Sequence, residues 1–281
     1  VYSLFLPADA AFLPLFGNGL HYQMSSLAEL LPMALMSIVL VLAAVTYIRT
    51  FYGLHKFSKK IKVIPNYLKP AIGAVLAGLV GVGLHLTFDQ GDSRAMLAVL
   101  STGYGSLQTA LEDPAKLGIG TLLLIAGGKV LTTSLTISTG GSGGVFGPSM
   151  VIGGCVGAAL GLWFQDLFGI QTHPGAYAII GMAGFFAGAA HAPISTIIMV
   201  SEMTGDYKLL LPTMWVSTLC FLLCRRWTLY EKQVPTRLES PAHKGDFIVD
   251  VLEGNRVKDV FQKRSDIRRV PESTSLDDIV H

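Results

Sequence analysis

The sequence predicts an all-α polytopic membrane protein with helices of unequal length, several of them broken, followed by a short charged tail. Three observations predict it. Of the 281 residues 51% are hydrophobic and only 14% charged, and mean hydropathy is +0.53; an ordinary soluble domain is about 25% charged. The apolar residues gather into separate runs, several near the ~20 residues that cross a bilayer as a helix. Gly and Pro clusters interrupt these runs, and from Phe247 onward the chain turns charged, with only short apolar strings.

In chain order, Val1 to Glu29 holds Pro7, Pro14 and Gly17 among mixed apolar residues and reads as an external loop. The chain opens on Val with no signal segment, so the expectation is a piece of a longer protein. Leu31 to Tyr47 is the first membrane segment and runs on to Leu54. Arg49, Lys56, Lys59, Lys60, Lys62 and Lys69 follow with no acid among them. Such a run marks a cytoplasmic loop, with membrane lipid as its ordinary partner. Pro70 to Phe88 is the second segment. Its small residues form two rows spaced by four, Gly73/Ala77/Gly81 and Ala74/Gly78, suited to close helix packing in lipid.

Asp89 to Ala115 is polar and Gly-rich around an apolar Met96 to Leu100, predicting a short, partly inserted helix and an external loop. Leu117 to Thr139 is the third long segment. It carries Lys129, costly in lipid, which is expected to face the protein interior or to snorkel rather than to coordinate an ion. After a glycine-rich break comes an apolar segment with Gly153, Gly157 and Gly161 on one face. Trp163 to Pro174 returns to the interface, and Gly175 to Ala190, rich in Ala and Gly, reads as a helix buried among helices. His191-Ala192-Pro193 breaks it, with His191 as a satisfied interface residue. Ile194 to Met203 is too short to span; Glu202 near its end reads as structural. Leu209 to Leu223 is the last apolar segment. Arg225, Arg226 and Lys232 place its end in the cytoplasm by the same charge rule.

The stretch Ser138 to Gly161 carries the chemistry. Five glycines (140, 141, 143, 144 and 147) precede Pro148 and an apolar run, so a flexible loop leads into a helix N-terminus near Phe146. The first N–H groups of a helix lack internal partners, carry partial positive charge and receive anions. Discontinuous membrane helices use such ends as anion sites. From the residues alone a tight packing turn stands equally beside this reading.

Other chemistry finds little support. A net charge of +2 is too small for a nucleic-acid partner. Cys155, Cys220 and Cys224 lie in apolar runs without metal or disulfide spacing and read as packing residues. A phosphate-binding loop needs G-x-x-x-x-G-K-[ST], but Val130 follows Gly128-Lys129 and Leu occupies position 123. No nucleophile–base pair or metal set appears, so neither an enzyme nor a cofactor is expected. The alternatives kept are a structural membrane subunit and a nucleotide-binding membrane protein, neither with an anion pathway of its own.

Gly144-Val145-Phe146-Gly147-Pro148 matches the G-x-F-x-P signature of the CLC chloride channel and transporter family. GKVLTTSLTISTGGSGGVFGPSM around it, and the later HAPISTIIMVSEMTGDYKLLLP and LYEKQVPTR, resemble that family in the right order, over roughly Leu31 to Leu238. The resemblance implies a CLC-like fold of tilted, broken helices, here the second of two inverted repeats, over residues 1–238. It implies chloride or another small anion as ligand, held by backbone N–H groups near Val145 and Phe146 and by the Tyr230 hydroxyl. From its position alone Tyr230 reads as an interfacial anchor. The resemblance further implies a voltage-gated channel or an anion/proton antiporter, and a homodimer with Leu209 to Leu223 at its interface. Residues 239–281 resemble a linker and the opening of a cystathionine-β-synthase (CBS) domain, a fold that binds adenine nucleotides when complete. Two family motifs, G-S-G-I-P and G-[K/R]-E-G-P, are absent, so the chain is expected to hold half an anion site and no identifiable gate.

Overall fold

A computed structural model describes residues 14–16, 20, 22–24, 26–88, 95–205, 207–234, 236, 239–243 and 273. Among them every regular element is helical. Eight α-helices follow in order: α1 (Leu30–Lys60), α2 (Lys69–Phe88), α3 (Tyr104–Glu112), α4 (Gly118–Ser138), α5 (Phe146–Phe168), α6 (Pro174–Ala190), α7 (Pro193–Thr204) and α8 (Leu210–Leu223). By length and composition α1, α2, α4 and α5 can cross a membrane, whereas α6 and α8 are apolar but shorter. The unequal, interrupted pattern expected from the sequence is therefore present.

Two helices depart from the expected bounds. α1 continues past Leu54 to Lys60, because no Pro or Gly pair stops it and Lys59 and Lys60 suit the negative end of the helix dipole. Beyond α2 lie a 3-10 turn (Ala95–Val99), the separate helix α3 and a second 3-10 turn (Pro114–Lys116), where one inserted helix was expected. α3 buries Leu107, Ala110 and Leu111 on one face. Their three- and four-residue spacing is that of an amphipathic helix.

Small residues set the close contacts. On α2 only the row Gly73, Ala77 and Gly81 is buried; Ala74 is exposed and Gly78 half-buried. A Cβ on Gly73 would lie 2.8 Å from the Leu135 carbonyl of α4. The face Gly153, Gly157 and Gly161 of α5 packs directly on α6. A Cβ on Gly153 would stand 2.6 Å from the Phe185 Cβ, and one on Gly157 3.0 Å from the Gly181 Cα. Backbones that approach this closely admit no side chain between them. Every residue of α6 is buried, as expected for a helix enclosed by others.

The chain divides into two compact units, Val1–Glu231 and Lys232–His281. In the second, a 3-10 turn spans Pro241–His243. The expected opening of a CBS domain from Phe247 lies, Ser273 apart, outside the described residues.

Candidate functional site

α4 ends where Gly140 adopts φ 102°, a left-handed conformation that favours Gly. Its N–H and that of Gly141 close on the carbonyls of Ile137 and Thr136, both at 3.0 Å. The chain then runs without regular structure through 141–144, and α5 begins at Phe146 with Val145 as N-cap. Val145 has no side-chain oxygen and nothing else caps the helix. The first bond of α5 runs from the Ser149 N–H to the Val145 carbonyl at 3.1 Å, and Pro148 has no N–H. The N–H groups of Val145, Phe146 and Gly147 are thus left without a protein partner among the described residues. They form the positive end of a 23-residue helix, an arrangement suited to an anion.

The loop has two differently furnished faces. On one, the Phe146 ring meets Phe186 of α6 edge to face, centroids 5.2 Å apart. On the other lies an open cavity of about 130 Å³, lined by Gly143, Gly144 and Pro148, by Lys129, Thr132 and Thr136 of α4, and by Val99 to Ser101. A Cβ on Gly144 would meet nothing within 4 Å, whereas one on Gly147 would stand 3.3 Å from the Tyr104 hydroxyl. Gly144 therefore keeps the cavity side open, and Gly147 is held by packing.

Lys129 faces the protein interior, with 2% of its surface exposed. Its ammonium donates to the carbonyl of Ala98 at 3.1 Å and to that of Ser101. Thr132 Oγ1 donates to the intervening Val99 carbonyl at 2.7 Å. Lys129, Thr132 and Thr136 share one face of α4 through three- and four-residue spacing. That polar stripe holds the 98–101 segment and lines the cavity beside the loop; its three- and four-residue spacing is a pattern visible in the sequence.

Tyr230 follows α8. Leu229 N–H donates to the Ala189 carbonyl at 2.9 Å, and the Tyr52 hydroxyl donates to the Leu229 carbonyl at 2.5 Å. Tyr230 is 43% exposed, and its hydroxyl has no hydrogen-bond partner among the described residues. Tyr230 does not line the cavity beside Lys129. Phe186 and Ala189 are three residues apart on α6, so the Phe146 side of the loop and the segment carrying Tyr230 rest on the same helix end. Tyr47 of α1 stacks near Phe185, ring centroids 6.2 Å apart. Its buried hydroxyl is unpartnered, and Tyr230 is near enough to interact with it electrostatically. No sequence signal pointed to Tyr47.

His191 and the three cysteines are held in structural contacts. His191 caps α6 at φ 57°, and its Nε2 faces the carbonyls of Cys224 at 3.2 Å and Trp227 at 3.1 Å. It is satisfied, as expected. Cys155, Cys220 and Cys224 are buried free thiols. Glu202 stands exposed on α7. Among the described residues no group of His, Cys, Asp and Glu is placed to hold a metal.

The family model for voltage-gated chloride channels matches residues 5–225. That span contains the whole loop but stops short of Tyr230. The H(+)/Cl(-) exchange transporter ClcA of Vibrio cholerae serotype O1 is 42% identical over 99 residues, 34% of this chain and 20% of that protein. ClcA of Yersinia pestis bv. Antiqua is 34% identical over 144 residues, 50% of this chain and 27% of that protein. Among solved structures, a slow cyanobacterial Cl-/H+ antiporter superposes with TM-score 0.58 at 20% identity, covering 86% of this chain and 51% of its own. The fold is shared with it, and this chain spans about half its length.

Proposed function

The chain belongs to the voltage-gated chloride channel family, and from that premise we propose that the protein it forms moves chloride or a similar small anion across a membrane. The observation that carries this reading is the uncapped start of α5 directly after the glycine loop. Three unpartnered N–H groups offer an anion fixed dipoles without a full charge in contact. Fixed dipoles bind strongly enough to admit an ion and weakly enough to release it. Backbone N–H groups at Val145 and Phe146 hold the anion from the loop, Gly144, Gly147 and Pro148 shape that loop, and the Tyr230 hydroxyl donates from the opposite side. The curated relatives named above are proton/chloride exchangers, which favours coupled exchange over passive conduction here.

Several finer assignments belong to the same reading. The outward faces of α7 and α8 carry exposed Ile194, Ile198, Leu211, Met214 and Trp215, which suits a homodimer contact. The ends that carry Lys59, Lys60, Arg225 and Arg226 face the cytoplasm, and so does the C-terminal tail. Adenine nucleotide binds only where a CBS domain is complete.

The test is anion efflux from liposomes holding the purified protein, with external pH recorded, for the wild type and Tyr230→Ala. Chloride movement with opposed proton movement, altered by the substitution, supports exchange with Tyr230 on the path. Chloride movement without protons indicates a channel. No anion flux in a folded sample removes the transport reading and leaves the glycine loop as a packing turn.

A further inference from the structure

A second cavity lies where α1 and α2 turn into one another. It measures about 180 Å³ and is lined almost wholly by apolar groups, among them Leu54, Phe57, Ile61, Ile72, Leu76 and, from α4, Leu135. Its polar lining is confined to Ser58, Lys69 and Thr139. Lys69 Nζ donates to the Ser58 carbonyl at 2.9 Å, which fixes one ammonium at the rim and satisfies a carbonyl of the last turns of α1. Lys56, Lys59, Lys60 and Lys62, on the end of α1 and just past it, are exposed, and no Asp or Glu occurs between Glu29 and Asp89. Large apolar side chains are exposed beside these cations: Phe57 by 63%, Tyr67 by 80% and Val63 by 94%.

An apolar slot with Lys69 at its rim and four exposed lysines on the adjoining chain, none with an ion pair among the described residues, has the chemistry of one occupant, an amphiphile with an anionic head. We propose that this hairpin is a binding site for an anionic phospholipid. The first part of an acyl chain enters the cavity between α1, α2 and α4, and the phosphate lies among Lys59, Lys60 and Lys62. A neutral lipid fills the slot but leaves the lysines unpaired; a soluble anion pairs the lysines but leaves the slot empty. The cavity also touches the last turn of α4 at Leu135 and Thr139. The glycine loop begins one residue later, so the lipid buttresses the helix end from which that loop springs.

Native mass spectrometry of the protein purified from membranes tests the site through lipid retention, a readout independent of anion flux. The probes are phosphatidylglycerol, phosphatidylcholine with the same chains, and glycerol 1-phosphate. Phosphatidylglycerol is expected to be retained well above the other two. Replacing Lys59, Lys60 and Lys62 together by Gln should cut its retention by on the order of fivefold per lysine removed at low salt, leaving phosphatidylcholine unchanged. Ile72→Phe, which fills the slot, should lower retention of phosphatidylglycerol with its lysines intact. Equal retention of the two phospholipids overturns the proposal, as does a lysine variant that binds like the wild type. Glycerol 1-phosphate binding as tightly as the intact lipid removes the role of the cavity without needing Ile72→Phe to fold.

Discussion

Lys129→Met separates two roles that one side chain holds. Methionine has similar length and fills the space, so the change removes the ammonium and little else. Each hydrogen bond to a charged group contributes about 1.5–3 kcal/mol, and each buried carbonyl left unsatisfied costs about 1–3 kcal/mol. Relief of the buried ammonium returns part of this, since burying a charge carries a penalty of several kcal/mol. Ala98 is buried, so its carbonyl bears the full cost; Ser101 is exposed and can be hydrated. The balance is a loss of about 2–3 kcal/mol. For a unit of this size that is a drop of about 4–12 °C in melting temperature. Lys129→Arg keeps donors and charge and should lose less than half as much. Melting of the purified proteins in detergent reads the difference. Among the described residues Lys129 is also the one charged side chain lining the cavity beside the glycine loop, so the Met variant should pass anions more slowly than the Arg variant at equal folded amounts. A Met variant that melts with the wild type and transports equally would refute both the anchoring and the electrostatic argument.

Two further substitutions probe packing and capping. Gly157→Val places a Cβ against the Tyr177 carbonyl and 3.0 Å from the Gly181 Cα; overpacking of this kind costs about 1–3 kcal/mol or more, and folded yield should fall, while Gly127→Val, at a position open to 4 Å, should not reduce it comparably. His173 caps α6 by accepting the Gly175 N–H on Nδ1 at 3.0 Å and stacks on Tyr22. Burial holds its pKa below the ordinary imidazole value, with Asp113 opposing, and protonation at Nδ1 cancels the cap. The folded state therefore binds the proton less readily than the unfolded chain. The stability this supplies is complete above about pH 6.5 and is lost as pH falls through the lower folded value. His173→Asn keeps a cap that does not titrate, so its melting temperature should fall less than that of the wild type from about pH 7 to pH 5. Parallel curves would assign the pH dependence elsewhere.

Most of the membrane helices were legible because lipid imposes a coarse requirement on sequence. A run such as Pro70 to Phe88 has few alternatives to a helix when backbone groups must be satisfied internally. The small-residue faces were legible for a related reason, since Gly153, Gly157 and Gly161 recur at helical spacing. What the pattern did not decide was which face finds a neighbour. On α2 the row Ala74 and Gly78 has the same spacing as Gly73, Ala77 and Gly81, yet only the latter packs. That choice depends on where α4 lies, a tertiary fact. α3 was missed because its apolar stripe is only Leu107, Ala110 and Leu111, too short to stand out from a Gly-rich loop.

The candidate site divides along the same line. Its loop could be read locally, since Gly140, Pro148 and the absence of a cap at Val145 all act within a few residues of α5. Tyr230 could not, because its place depends on contacts far away in sequence: Leu229 on Ala189, Tyr52 on Leu229, and His191 on the turn after α8. All three contacts hold the post-α8 segment, and two of them use the C-terminal end of α6, where Phe186 also meets Phe146. His191 is the one residue other than Gly with positive φ among those described. Its carbonyl contacts explain why that conformation is held there, since a Gly would relieve the backbone but lose the ring that fixes residues 224–227. The end of α6 thus positions both the loop and the tyrosine segment, and its importance cannot be seen in any motif that carries chemistry.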